Sequence, residues 1–199
     1  MEEIRELLLD QLKDALSAEK QAVQGMKRTL RKVSDPQLRR GIEAHIVQSE
    51  KQRERVEQAL GALGAKPGRK ACEAMRGLVE EAQREQQERD KGPVLDLVSI
   101  ASHQRIEHYE IAACGTMAEL AGALGEAKVA ETLAKPPAKE KAQDERLTEV
   151  TRGIVLPAAL SGGGGQEEEA EESPTRPRAA RRPAAKPAQA RETRARGRR

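Results

Sequence analysis

The sequence predicts an all-α fold with four long helices and one short one. Apolar residues recur with the 3.6-residue period of an amphipathic helix, and no segment alternates with period two over a useful length. The chain has 199 residues with no Phe or Trp, so the core must be built from Leu, Ile, Val, Ala and Met. Such side chains suit narrow helix packing better than a β-sandwich.

The first half of the chain divides at two breaks rich in Pro and Gly. A helix over residues 3–33 ends at Ser34-Asp35-Pro36, where Ser34 or Asp35 can cap the next helix and Pro36 takes its first position. That second helix runs to about Leu63 and stops at Gly64.

The second half contains the short helix and the remaining two long ones. Residues 70–90 form a short charged helix, and Gly92-Pro93 breaks it. Residues 94–123 form the third long helix, which Gly125 stops. A last helix restarts at 126–134, is interrupted by Pro136-Pro137 and continues over 138–155.

The composition changes after Pro157. Residues 1–157 form the predicted bundle, and residues 158–175 a linker with the runs SGGGGQ and EEEAEE. Residues 176–199 contain ten Arg or Lys against one acid, and we predict a disordered tail. A basic tail binds phosphate backbones without reading sequence, so its expected partner is nucleic acid or an acidic protein surface. A solubility tail, or one that folds back on the acidic run, is the alternative.

The expected compartment is the cytoplasm, with no membrane association. The acidic N-terminus has no long apolar run typical of a signal peptide, and no stretch of about 20 apolar residues occurs. The chain has two cysteines, too few for a disulfide framework.

When residues are placed 100° apart around each helix, polar side chains interrupt the apolar stripe of every long helix. Nine of them are candidate metal ligands: Glu19 in the first helix; His45, Gln48 and Gln52 in the second; His103, Glu107 and Glu110 in the third; Glu140 and Asp144 in the last. A four-helix bundle that gathers Glu and His from all four helices is the arrangement of di-iron and di-manganese proteins. The alternative is that these residues lie at stripe edges or pair with Arg and Lys.

Five pieces of the chain resemble the YciF-like ferritin-like family of bacterial stress-associated proteins. They are LLDQLKDALSAEKQ (8–21), DPQLRRGIEAHIVQSEKQRERVEQ (35–58), CEAMRGLVEEA (72–82), IEHYEIAACGTMAELAGALG (106–125) and KAQDERLTEV (141–150). The resemblance implies a ferritin-like bundle, commonly a homodimer, with a di-metal carboxylate centre of iron or manganese. Oxidase or peroxidase-type activity is one expectation. A non-enzymatic helical dimer that acts as a binding module, its core carboxylates protonated or paired, is the other.

The resemblance also assigns ligands by position and marks three departures. Family ligands fall on Glu19, His45, Gln52, Glu107, Glu110, Glu140 and Asp144. The family usually has a Glu where this chain has Gln48, and Pro136-Pro137 can shift Glu140. His103 is an extra imidazole that partly replaces the lost ligand, according to one hypothesis. According to the other, the metal site is weakened.

Overall fold

The structure is a computed structural model that describes residues 1–162, and these contain no β-strand. Its helices are α1 (Glu2–Thr29), α2 (Pro36–Ala62), α3 (Glu73–Gln87), α4 (Pro93–Ala123), α5 (Ala127–Ala134), α6 (Pro136–Val150) and α7 (Leu156–Gly162), with a π-helical turn over Thr151–Val155 between α6 and α7. The predicted all-α class is confirmed.

Four helices close a ring, which makes the fold a four-helix bundle. Helix α1 packs against α2 and α4, and α6 packs against the same two helices from the other side. The short helix α3 lies against α1 and α4, while α5 lies against α4 and α2. None of the helices in this part of the chain is both long and apolar enough to cross a membrane.

Local capping explains where α2 begins and where α2 and α4 end. Asp35 Oδ1 accepts the backbone N–H groups of Gln37 and Leu38 at 2.9 and 2.8 Å, so Asp35 is the cap of α2. Gly64 and Gly125 follow α2 and α4 with φ of 71° and 77°. This left-handed conformation, which glycine adopts without strain, ends each helix as predicted.

The predicted breaks between the helices are present, but several helix ends differ from the prediction. Helix α1 ends at Thr29 and not at residue 33. Residues 30–32 form a turn before Pro36. Lys135 separates α5 from α6 at the predicted interruption, since Pro136 and Pro137 cannot donate backbone hydrogen bonds to the preceding turn. Helix α6 begins at Pro136 and not at residue 138, because proline is tolerated in the first turn of a helix.

At the other end, α7 continues to Gly162, past the predicted boundary at Pro157. Proline is compatible with the first turn of a helix, so Pro157 does not end the helical chain. The rest of the predicted linker, residues 163–175, and the predicted basic tail, residues 176–199, lie outside the described residues.

The buried side chains form two apolar clusters. The first apolar cluster includes Met26, Leu38, Ile42, Ile100 and Leu147, and the second apolar cluster includes Leu8, Leu12, Leu60, Met117 and Leu133. Buried polar residues lie near the boundary between the two clusters in all four helices of the ring. We call these residues, Glu19, His45, Glu107, Glu110 and Glu140, the carboxylate layer.

Candidate metal centre

The carboxylate layer draws at least one side chain from each helix of the ring. Glu19 comes from α1, His45 from α2, Glu107 and Glu110 from α4, and Glu140 from α6. Glu107 and Glu110 are three residues apart, so both project from the same face of α4. Each of the five side chains is at most 3% exposed, so they are not solvated residues at the edges of the apolar stripes.

The imidazole of His45 lies among three carboxylates. Its Nδ1 is 3.0 Å from Glu107 Oε1, and its Nε2 is 3.5 Å from Glu140 Oε2 and 3.7 Å from Glu110 Oε2. One ligand atom from each of these four residues lies within 4.8 Å of the others. The donors are therefore close enough together to share a metal ion.

Most polar atoms of the layer have no hydrogen-bond partner. Both oxygens of Glu107 and of Glu110, one oxygen each of Glu19 and Glu140, and both nitrogens of His45 are buried and unpaired. The 3.0 Å approach of His45 to Glu107 lacks hydrogen-bond alignment, so it is an electrostatic contact. Buried polar groups are normally satisfied, and a cluster of exceptions indicates a missing charge or ligand.

Burial shifts the pKa values of the carboxyl groups upward. Removal from water raises the pKa of Glu107 to about 9, with Glu140 contributing and His45 opposing. It also raises the pKa of Glu110 and, with help from the charges of Glu110 and Glu140, that of Glu19. Without a cation, Glu107 therefore holds a proton at neutral pH, and burial favours the protonated form of Glu110 and Glu19 as well.

His45 responds to the same environment in the opposite sense to an ordinary buried histidine. Burial by itself would lower its pKa, but Glu107 and Glu110 outweigh that effect and raise the pKa well above 6.5. The cationic form of His45 is thus favoured when Glu107 or Glu110 is ionised, and His45 can then neutralise one carboxylate. Two states are then chemically reasonable: a protonated layer and a metal-filled layer.

His103 lies beside the layer, on the side of the first apolar cluster. Its ring centre is 6.2 Å from that of His45, and its Nδ1 contacts the carbonyl oxygen of Ser99 at 2.9 Å. Burial and the nearby charge of His45 lower the pKa of His103 to about 4. It is therefore neutral, with the Nδ1–H donated to Ser99 and the unpaired Nε2 left with a free lone pair.

Gln48 is a neighbour of the layer and donates to it. Its side-chain Nε2 donates a hydrogen bond of 2.8 Å to Glu140 Oε1. The amide of Gln48 thus orients the carboxylate of Glu140. A Glu at this position would instead add a negative charge beside Glu140. Glu140 itself is 1% exposed, so the two prolines before it leave it inside the bundle.

Two predicted ligands lie elsewhere. Gln52 is buried, but its Nε2 donates to Cys114 Sγ at 3.3 Å and its oxygen accepts from Arg55 at 3.1 Å. Asp144 is partly exposed and accepts from Gln104 Nε2 at 2.9 Å. Asp144 is not part of the four-residue group around His45.

Tyr109 forms a polar network that sequence reasoning did not find. Its hydroxyl donates to Asp14 Oδ2 at 2.8 Å and lies 3.0 Å from Cys72 Sγ. Cys72 Sγ also accepts the backbone N–H of Met75 at the start of α3. The contacts join residues 95 and 37 positions apart, and no local sequence signal reports such pairs.

Comparisons with known proteins agree with this architecture. A family model described as a domain of unknown function, DUF892, matches residues 3–160. Protein YciF of Escherichia coli strain K12 is 37% identical over 151 residues, which cover 75% of this chain and 91% of YciF. The chain belongs to the YciF-like family.

Solved structures extend the YciF-like assignment to three dimensions. The crystal structure of the E. coli stress protein YciF matches with a TM-score of 0.72 and 36% identity, over 80% of this chain and 99% of that one. YcfI of Rhodopseudomonas palustris, provisionally described as a structural protein, matches with a TM-score of 0.69 and 34% sequence identity. The match covers 73% of this chain and 92% of YcfI. A Xanthomonas campestris protein at 24% identity, with a TM-score of 0.65 over 80% and 99%, shares the fold.

Proposed function

We propose that this YciF-like chain is a stress-associated metal-binding protein whose carboxylate layer holds a di-metal centre of iron or manganese. One observation carries the proposal: buried oxygen and nitrogen donors from all four bundle helices converge without hydrogen-bond partners. The stress association is proposed from YciF, which is described as a stress protein.

The donor set matches the chemistry of hard and borderline divalent ions. Carboxylates and imidazoles suit iron and manganese. The buried thiol of Cys114 is outside this donor set, because it accepts a hydrogen bond from Gln52. Two divalent ions carry enough positive charge to balance four ionised carboxylates in a dry interior. Cation binding would therefore remove the cost that burial imposes on these groups.

Each side chain has an expected role. Glu107, Glu110, Glu140 and His45 would hold the first ion, since their ligand atoms already lie together. Glu19 would complete a second position, because its charge acts on Glu110 and Glu140. His103 offers a neutral imidazole nearby, and Gln48 donates a hydrogen bond to one oxygen of Glu140.

Iron in the centre would supply one-electron exchange with oxygen or peroxide. The protein's own part is to exclude water, because the two apolar clusters enclose the layer from both sides. The proposed outcome is the handling of iron or reactive oxygen species, in which the bundle protects the reacting atoms from side reactions.

The decisive experiment is metal analysis of full-length protein purified without chelator, followed by anaerobic titration with Fe(II) or Mn(II). We expect one to two ions per chain, with about tenfold or greater weakening in Glu107→Gln and Glu110→Gln. Glu119→Gln is the matched control, since Glu119 is exposed on the same helix α4. Circular dichroism checks that each variant is folded.

Two results would contradict a metal centre. One is fewer than about one ion per two chains after titration. The other is equal ion binding by wild type and by folded Glu107→Gln and Glu110→Gln, which would place the bound metal elsewhere.

The alternative is a metal-free helical dimer that acts as a binding module. The raised pKa values of Glu19, Glu107 and Glu110 support it, because protons can then neutralise the layer. The provisional description of YcfI as a structural protein points the same way. Sedimentation equilibrium of chelator-treated protein tests it: an intact dimer with no ion uptake favours the alternative, and a monomer argues against it.

A further inference from the structure

A basic cavity opens at the surface next to the carboxylate layer. It has a volume of about 200 Å³ and lies where α2 approaches the start of α6. Its lining consists of Ala44, Val47, Gln48, Lys51, Arg55 and Lys139, which include three cations and no acid. Within residues 1–162, none of these three cations forms an ion pair with an acidic side chain.

The cavity is connected to the buried layer through a single side chain. Gln48 is half-buried in the cavity wall, and its amide donates to Glu140 Oε1 at 2.8 Å. Arg55, another lining residue, donates to the side-chain oxygen of the buried Gln52 at 3.1 Å. Buried polar contacts therefore hold two of the lining residues in place.

The charges determine which ligands this cavity favours. Three cations without acidic partners repel metal ions and attract anions. Lysine ammonium groups and an arginine guanidinium donate several hydrogen bonds and accept none, which matches the acceptor-only oxygens of an oxyanion. The small volume favours a compact ligand.

We propose that this cavity, formed by Lys51, Arg55, Lys139 and Gln48, is a binding site for a small inorganic oxyanion of the phosphate class. Occupation draws the Gln48 amide toward the anion and away from Glu140. The Glu140 carboxylate is then freed for a cation, so anion binding and metal binding strengthen each other. The site itself does not require a metal, whereas the coupling rests on the proposed function.

The test uses full-length, metal-free protein labelled with ¹⁵N, because NMR separates this cavity from the basic residues 176–199. Inorganic phosphate is titrated at low ionic strength while the side-chain amide signal of Gln48 is followed. We expect a saturable shift, weakened about tenfold, equivalent to about 1.4 kcal/mol, in Lys51→Gln/Lys139→Gln. The matched control Lys20→Gln/Lys128→Gln, at two exposed lysines on α1 and α5, keeps the wild-type affinity.

Three results would overturn the anion site. They are no saturable shift at Gln48, an equal shift in Lys51→Gln/Lys139→Gln and in its control, or tighter binding of dimethyl phosphate than of inorganic phosphate. The last result would mean that the cavity takes a phosphodiester backbone.

The coupling has a separate readout. Phosphate should tighten Mn(II) binding about fivefold in wild type, the lower end of typical coupling between sites. It should leave Mn(II) binding by Gln48→Leu unchanged, because no amide then links the two sites. Equal tightening in both proteins contradicts the coupling. Absence of Mn(II) binding together with a saturable phosphate shift contradicts the proposed metal centre and leaves the anion site standing.

Discussion

The carboxylate layer and the apolar clusters on either side of it are built from the same helices by opposite means. In the clusters, side chains such as Leu12 and Met117 are fully buried, and burial itself stabilises the fold. In the layer, Glu107 is equally buried, and burial costs free energy unless a proton or metal ion compensates. Stability and chemistry therefore occupy different levels of one bundle, and only the layer should respond to pH and metal.

The largest expected effect comes from the second apolar cluster. Leu12→Ala should lower the free energy of unfolding by about 2–5 kcal/mol, since it removes fully buried methyl groups and leaves a cavity. Urea denaturation measures the loss. The loss should be the same with and without Mn(II), and a metal-dependent loss would contradict the separation of the two levels.

Metal-free protein should become less stable as pH rises from 6.5 to 9. In this window Glu107, with a pKa of about 9, is protonated when folded and ionised when unfolded, so the folded state binds more protons. The raised pKa of His45 acts in the same direction. One such proton corresponds to about 1.4 kcal/mol per pH unit.

The pH window begins at 6.5 because His103 has the opposite effect on stability below that pH. Its pKa is lowered to about 4 in the folded protein, so between pH 4 and 6.5 the unfolded state binds the additional proton. Urea denaturation at several pH values measures the slope. Glu107→Gln should flatten it, and Glu119→Gln should not. An equal slope in Glu107→Gln would assign the pH dependence to groups outside the layer.

Metal addition should reverse this destabilisation. Mn(II) at about 100 times its dissociation constant should raise the free energy of unfolding by about 2.7 kcal/mol. The gain should be greater at pH 8 than at pH 6.5, because fewer protons must leave the layer. Thermal melts with and without Mn(II) test this, and a similar gain in Glu107→Gln would show that the ion binds outside the layer.

Gln48→Glu should sharpen the contrast further. It replaces the amide that donates to Glu140 with another acid, and should cost the metal-free protein about 1–3 kcal/mol at pH 8. Mn(II) affinity should increase, because the added carboxylate is a stronger ligand than an amide. Gln58→Glu, at an exposed position of α2, is the control for added charge. Unchanged stability and affinity in Gln48→Glu would separate Gln48 from the centre.

The smallest effect is expected at Tyr109, which is partly buried against the first apolar cluster. Tyr109→Phe removes the hydrogen bond to Asp14 and the contact with Cys72, and should cost about 0.5–1.5 kcal/mol. Mn(II) affinity should be unchanged, as measured by titration. A large loss of affinity would make Tyr109 part of the centre despite its position on another face of α4.

Residue spacing predicted which residues form the carboxylate layer, but not the contacts between them. Glu19, His45, Glu107, Glu110 and Glu140 were all found from their place in apolar stripes, because a helical period is a local property. The same criterion also selected Gln52 and Asp144, which turn to other partners. The apolar stripe of a helix covers a wider arc than the part of the helix that faces the layer. Periodicity therefore cannot distinguish a residue of the layer from its neighbours in the stripe.

The sequence by itself determined the helices, the helix ends at Gly64 and Gly125, a cap at Ser34 or Asp35, and the presence of acids on inward faces. Each of these depends on residues within a few turns. Only the tertiary structure decided that His45 lies among three carboxylates and that Gln48 joins Glu140 to a basic cavity. These contacts link residues up to 95 positions apart. The rotation and height of packed helices fix them, and both are properties of the whole core.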